Sequence, residues 1–207
     1  MASKSDRSNY FFCVRLTNPA IRREIKDALD WMVDKEPKFA DFCYTPEMIH
    51  VTLCEACLQD EEDIALAAKA LKDAETILQE SLPSSLLTIK GITTFNDLIM
   101  IADVEYENDF RKFAEVLKEQ LKLKGVKVVE RHEFRPHVTI LKVNTMRARK
   151  AKVGKLNSWL YVNLKDKLFG QQSVNSVHLC KMGYERREDG FYNTPAEIIF
   201  RTNVTND

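Results

Sequence analysis

Glycine is scarce, at six residues in 207, and no two of them stand close enough to form the cluster that a P-loop or Rossmann phosphate cradle requires. A nucleotide, if bound, is held some other way. Net charge is also lacking: 31 basic and 31 acidic residues cancel. That removes any global field drawing the chain to nucleic acid or to a membrane, so polyanion binding must rest on a local patch. No run approaches the roughly 18 apolar residues of a spanning helix, and the stretch from Met1 to Arg7 is polar with no apolar segment behind it. A soluble cytoplasmic protein is expected, with the nucleus as the alternative. The cysteines, at 13, 43, 54, 57 and 180, are odd in number and scattered, which fits reduced thiols. Cys54-Glu55-Ala56-Cys57 has the spacing of a zinc or redox pair. It lacks a second pair and continues a strand, so buried thiols are the expectation.

What the chain does have is a repeated phrase. Ile49-His50-Val51-Thr52-Leu53 recurs within Phe134-Arg135-Pro136-His137-Val138-Thr139-Ile140-Leu141. Two of only four histidines being followed by Val-Thr has a chance probability on the order of one in ten thousand at ordinary residue frequencies. Each copy lies in a β-branched apolar run that reads as a strand. Side chains alternate along a strand, so His50 shares a face with Thr52, and His137 with Thr139, opposite the aliphatic residues that can be buried.

The rest of the chain supplies two similar halves. Tyr10 to Leu16 reads as a first strand, and Asn18-Pro19 caps a helix carrying Ile21, Ile25, Ala28 or Leu29, and Met32 to about Val33. The first His strand runs to about Leu58. Asp60 caps a second helix with its buried stripe at Ile64, Ala67, Leu71, Ala74 and Leu78. Three strand-like pieces follow, Leu86 to Lys90, Ile92 to Phe95 and Leu98 to Val104, the last two joined by an Asn96-Asp97 turn. Phe110, Phe113, Leu117 and Leu121 mark a helix ending at Gly125. A short strand, Lys127 to Arg131, precedes the second His strand. Leu156 to Leu168 has helical spacing, and Ser176 to Met182 and Ala196 to Arg201 are closing strands. The expected architecture is α+β, one bilobal domain over residues 9–202 with two antiparallel sheets and outer helices around a cleft. Residues 1–8 and 203–207 are read as tails.

Two histidines facing each other across such a cleft can move two protons near neutral pH, one as base and one as acid. Phosphodiester cleavage needs both at once, because a nucleophile loses a proton while a leaving oxygen gains one. Threonine hydroxyls beside them can bond the non-bridging phosphate oxygens. The scheme needs no metal or other cofactor, and neither motif carries a carboxylate beside its histidine.

These two H-x-T motifs resemble those of the 2H phosphoesterase superfamily. The second motif as Phe-Arg-Pro-His-Val-Thr, with Gly91-Ile92-Thr93-Thr94-Phe95 and Asn9-Tyr10-Phe11, is similar to the central domain of gamma-type A-kinase anchoring proteins over residues 9 to 202. The resemblance implies a metal-independent phosphodiesterase with His50, Thr52, His137 and Thr139 at the cleft base. It also implies 2′,5′-linked oligoadenylate as substrate, a 2′,3′-cyclic phosphate as product and a place in antiviral RNA sensing. Alternatives keep the fold and change the substrate to a cyclic dinucleotide, a 2′,3′-cyclic phosphate or an RNA 3′ end. Another class again is a module that binds AMP or CMP without turnover. A kinase-anchoring helix is not expected after the last strand, and a monomer is.

Around the motifs, Arg135 is a candidate for substrate phosphate, and Phe95, Phe134 and Tyr10 are candidates for stacking on a base. His132 and His178 read as structural or loop residues. The basic run Lys142, Arg147, Arg149, Lys150, Lys152 and Lys155 reads first as a solvated face, and second as a track for further phosphates.

Overall fold

A computed structural model describes residues 7–143 and 145–201, with the side chain of Arg147 and the predicted tail 203–207 outside the described part. The elements in order are β1 (Tyr10–Arg15), α1 (Pro19–Lys35), β2 (His50–Ala56), α2 (Glu61–Asp73), α3 (Glu75–Glu80), β3 (Leu87–Phe95), β4 (Ile99–Glu105), α4 (Asn108–Leu123), β5 (Val128–Val129), β6 (His137–Lys142), α5 (Thr145–Ala151), β7 (Leu168–Gln172), β8 (Ser176–Lys181) and β9 (Ala196–Ile199). Among the described residues no helix is long and apolar enough to cross a membrane.

Local chemistry starts the helices. The Asn18 side chain accepts from Ala20 N at 2.9 Å ahead of Pro19, and Asp60 accepts from Asp63 N at 2.9 Å, each satisfying an amide that the first turn leaves unpaired. The buried face of α1 is Ile21, Ile25, Ala28, Leu29 and Met32, and that of α4 is Phe110, Phe113, Ala114, Leu117 and Leu121. α1 rests on β7 at Gly170, where a Cβ would stand 2.8 Å from Ile21 Cγ1. That approach is open only to glycine.

The strands form one antiparallel sheet in the order β7-β3-β4-β6-β2-β1-β8-β9, with β5 added to β2. Two four-stranded halves meet at the β6–β2 seam, where Val51 pairs with Val138. Each half therefore contributes one His strand to the centre of the sheet.

Two sequence-based expectations are corrected. Leu86 to Lys90 and Ile92 to Phe95 are one strand, β3, kinked at Gly91, where the register to β4 shifts between Lys90 and Ile92. Gly91 has φ +71°, and a Cβ there would lie 2.4 Å from the Lys165 carbonyl oxygen. Leu156 to Leu168 is not a helix but two 3-10 turns, Ser158–Leu160 and Val162–Leu164, followed by β7. The leucine spacing there is satisfied by burying Leu156 and Leu160 one turn at a time. Gly91 N donates to Lys167 O at 2.8 Å, which takes that backbone out of any helical ladder.

Candidate active site

The two His strands are aligned by their neighbours. In β2 the burial alternates from His50 to Leu53, with Val51 and Leu53 in the core and His50 and Thr52 half-buried on the other face. The pairing to β1 then shifts between Phe12 and Cys13, leaving Leu53 as an extra residue in β2 and turning Cys54 into the core. The bulge thus ends the open face at Thr52. In β6 the same alternation leaves His137 and Thr139 half-buried and sends Val138 and Ile140 inward. Because Val51 pairs with Val138 in antiparallel register, His50 falls opposite Thr139 and Thr52 opposite His137. Each imidazole has a hydroxyl from the other strand across from it.

Both rings are fixed in the same way. His50 Nδ1 lies 2.8 Å from Met48 O, and His137 Nδ1 lies 2.8 Å from Arg135 O. A carbonyl oxygen only accepts, so each Nδ1 carries the hydrogen and each neutral ring presents an unprotonated Nε2.

The surroundings favour the neutral form of both rings. His50 stacks on Phe11 at 4.7 Å between centroids, and the edge of Tyr192 meets it at 5.2 Å. Burial pushes its pKa down to about 4, against a bond to Met48 O that favours charge, and the positive forms of His137, Arg186 and His178 add to the depression. His137 is lowered by burial in the same sense, opposed by the Arg135 carbonyl and by Asp103.

The predicted binding residues divide. Phe95 stands edge-on to His137 at 5.1 Å, and the Arg135 guanidinium lies over the Phe95 ring at 4.9 Å, while also 3.4 Å from Asp103. The other two lie elsewhere. Phe134, partly buried, packs on Phe110 and Tyr106 at the margin of the core, and Tyr10, 4% exposed, belongs to the main core on the face of β1 opposite Phe11. Strand alternation makes Phe11, not Tyr10, the aromatic neighbour of His50. His132 is exposed; His178 is buried, with Nδ1 2.9 Å from Glu197 Oε2 and Nε2 3.0 Å from Ser176 Oγ. The described basic residues Arg149, Lys152 and Lys155 line an open depression of about 250 Å³ with Leu98 and Val143, beside the β3–β4 turn rather than over the histidines.

The segment between β8 and β9 was the part that sequence reasoning missed. It brings Tyr192 onto His50 and hydrogen-bonds the Tyr192 hydroxyl to that of Tyr44. It also lays the Arg186 guanidinium 4.4 Å over the Tyr192 ring. Arg15, ion-paired to Asp189 at 2.7 Å and stacked on Phe191 at 4.3 Å, ties the segment to β1. The Phe191-Tyr192 pair was the available signal, an aromatic doublet in an otherwise charged loop.

Among the described residues no three His, Cys, Asp or Glu side chains converge as a set that could hold a metal ion.

Comparison with known proteins places these features in context. Residues 8–200 match the model of a family described as the AKAP7 2′5′ RNA ligase-like domain. The chain is 26% identical over 202 residues to human A-kinase anchor protein 7 isoform gamma, covering 95% of this chain and 58% of that protein's length. The E. coli LigT structure in complex with 3′-AMP superposes with a TM-score of 0.59 at 16% identity, over 94% of this chain and 99% of that one. The MHV ns2 PDE domain superposes with a TM-score of 0.59 at 12% identity, over 86% of this chain and all of that one.

Proposed function

Because the chain belongs to the AKAP7 2′5′ RNA ligase-like domain family and has the 2H phosphoesterase fold, we propose that it is a phosphodiesterase acting through His50 and His137. We take residues 9–202 as its one bilobal catalytic unit, and the substrate as a 2′,5′-linked oligoadenylate cleaved without a metal. The observation that carries the reading is the paired tautomer: two imidazoles on one sheet face, each with Nδ1 bonded to a carbonyl and Nε2 left for the reaction. The superposed structures, LigT with 3′-AMP and the ns2 PDE domain, support a nucleotide substrate and this reaction type.

In a 2′,5′ linkage the adjacent 3′-hydroxyl is free. His50, the ring held most firmly neutral, takes the proton from that hydroxyl as its oxygen attacks phosphorus. The P–O5′ bond breaks in line, and His137, which reacts in its charged form with a second proton on Nε2, delivers that proton to the departing 5′-oxygen. The products are a 2′,3′-cyclic phosphate and a free 5′-hydroxyl. Thr52 and Thr139 donate to the non-bridging oxygens as negative charge grows on them.

The test is chromatographic. Purified protein in EDTA is incubated in parallel with 2′,5′- and 3′,5′-linked triadenylate, and the products are resolved over time. Loss of the 2′,5′ trimer alone, with a cyclic phosphate end, is the expected result. If neither trimer changes while AMP or CMP binds, the enzymatic reading fails and a nucleotide-binding module takes its place. Turnover only after a divalent metal is added would overturn the two-histidine mechanism.

A further inference from the structure

The two histidines are flanked by the same three-part arrangement, although the residues come from unrelated positions in the chain. Tyr192 meets His50 edge-on at 5.2 Å and 86°, and carries the Arg186 guanidinium over its ring at 4.4 Å. Phe95 meets His137 edge-on at 5.1 Å and 87°, and carries the Arg135 guanidinium over its ring at 4.9 Å. Each guanidinium therefore lies no farther from its histidine ring than these two short distances laid end to end. That span is comparable with one nucleotide step. Both charges are felt at the imidazoles, Arg186 lowering the pKa of His50 and Arg135 that of His137.

The two arginines differ in what holds them. Arg135 is near Asp103 at 3.4 Å, with both side chains about half exposed. Arg186 Nη1 donates to Gly183 O and Glu185 O, each at 2.8 Å, and no carboxylate among the described residues pairs with it. A guanidinium held by two neutral carbonyls and an aromatic face has a charge and further donors that no described carboxylate offsets. Phosphate is the ligand that matches a planar, always-charged fork of donors.

We propose that Arg186 and Arg135 bind the phosphates on either side of the scissile one, Arg186 beyond His50 and Arg135 beyond His137, so that the preferred substrate is an oligonucleotide with phosphates flanking the cleaved linkage. The proposal rests on the phosphodiesterase reading above and sets its length requirement. A dinucleotide lacking terminal phosphates fills only the central position. A trimer adds a flanking phosphate and gains one charge-assisted contact, worth roughly tenfold in affinity.

The experiment compares kcat/KM for 2′,5′-linked di-, tri- and tetraadenylate, without terminal phosphates, in the wild type, Arg186→Gln and Arg186→Lys. A trimer can place its single flanking phosphate on either arginine, so the deciding ratio is tetramer over trimer: about tenfold through KM in the wild type, near one in Arg186→Gln, and between the two in Arg186→Lys. A ratio unchanged in Arg186→Gln overturns the proposal, including the case in which both substrates slow equally because the segment has lost its shape. Calorimetric titration of the same variants with trimer and tetramer in EDTA makes the test independent of turnover. A wild type that cleaves neither but binds tetramer about tenfold tighter, with that gain lost in Arg186→Gln, leaves the phosphate site standing while the enzymatic reading fails. Equal binding of trimer and tetramer by the wild type overturns the site.

Discussion

An imidazole serves as a base only while its outward nitrogen is unprotonated, and the depressed pKa values of His50 and His137 set the pH range in which that holds. For kcat/KM the free enzyme must carry a neutral base and a charged acid. With His50 at about 4 and His137 below its usual value of 6.5, the proposed roles place the optimum on the acid side, between those two limits. A pH–rate profile measures it as the apparent values of the coupled pair. An optimum at pH 8 or above would reject this assignment. The same shifts act on stability. Between pH 6.5 and about 4 the unfolded chain binds more protons than the folded one at these rings, so stability is complete above 6.5 and falls as the pH drops through that window. Urea midpoints at pH 7.5 and 4.5 should therefore separate more in the wild type than in His50→Gln, where one of the depressed groups is gone. For activity, His50→Ala and His137→Ala should each cost about 100- to 10,000-fold. Thr52→Val and Thr139→Val, each removing one of the proposed oxyanion donors, should cost about 100-fold in kcat in a single-turnover assay.

At the scale of elements, most boundaries follow from local rules. Asn18-Pro19 and Asp60 start helices where caps are expected, and Asn96 and Asp97, with φ of 53° and 57°, form the turn between β3 and β4. Asp60→Ala should lower stability by about 1 kcal/mol in chemical denaturation. The elements that were misread are those whose backbone partners lie far away in sequence. β3 is one strand because Gly91 absorbs a bulge against the 165–167 backbone, and that same contact keeps 156–168 from being a helix. Gly91→Ala combines a left-handed φ with a backbone clash at 2.4 Å. It should destabilise by more than about 1 kcal/mol, visible as a lower melting temperature. A melting temperature equal to the wild type's would show that the Lys165 carbonyl moves away at little cost.

For the whole molecule, the decisive feature is the seam. Val51 and Val138 are fully buried and hold the two four-stranded halves in the register that sets His50 across from Thr139. Truncating Val138 to Ala should cost on the order of 2 kcal/mol, as should Val177→Ala, an equally buried position on β8. Under the proposed mechanism the two variants should differ in kinetics: Val138→Ala lowers kcat at a temperature where both are folded, because the spacing of the two His strands relaxes, whereas Val177→Ala does not. Equal kcat in the two would mean that the seam contributes packing alone. Gln172 adds a second tie between the halves, with Oε1 accepting from Thr17 N and Asn18 N at 2.7 and 2.9 Å and Nε2 donating to Arg15 O at 2.9 Å.

The amino-acid order by itself determined the two His-x-Thr strands, the face each histidine shares with its threonine, and the helix caps, because strand alternation and capping act within a few residues. Only the tertiary structure decided which hydroxyl faces which imidazole, since that depends on the antiparallel register of β2 against β6. It also decided that Phe11, Tyr192 and Arg186 surround His50 while Tyr10 is buried in the core and Phe134 packs against it. Those choices are made by packing between segments far apart in the chain, where an aromatic in a strand or loop has two faces available and only the filled core selects one.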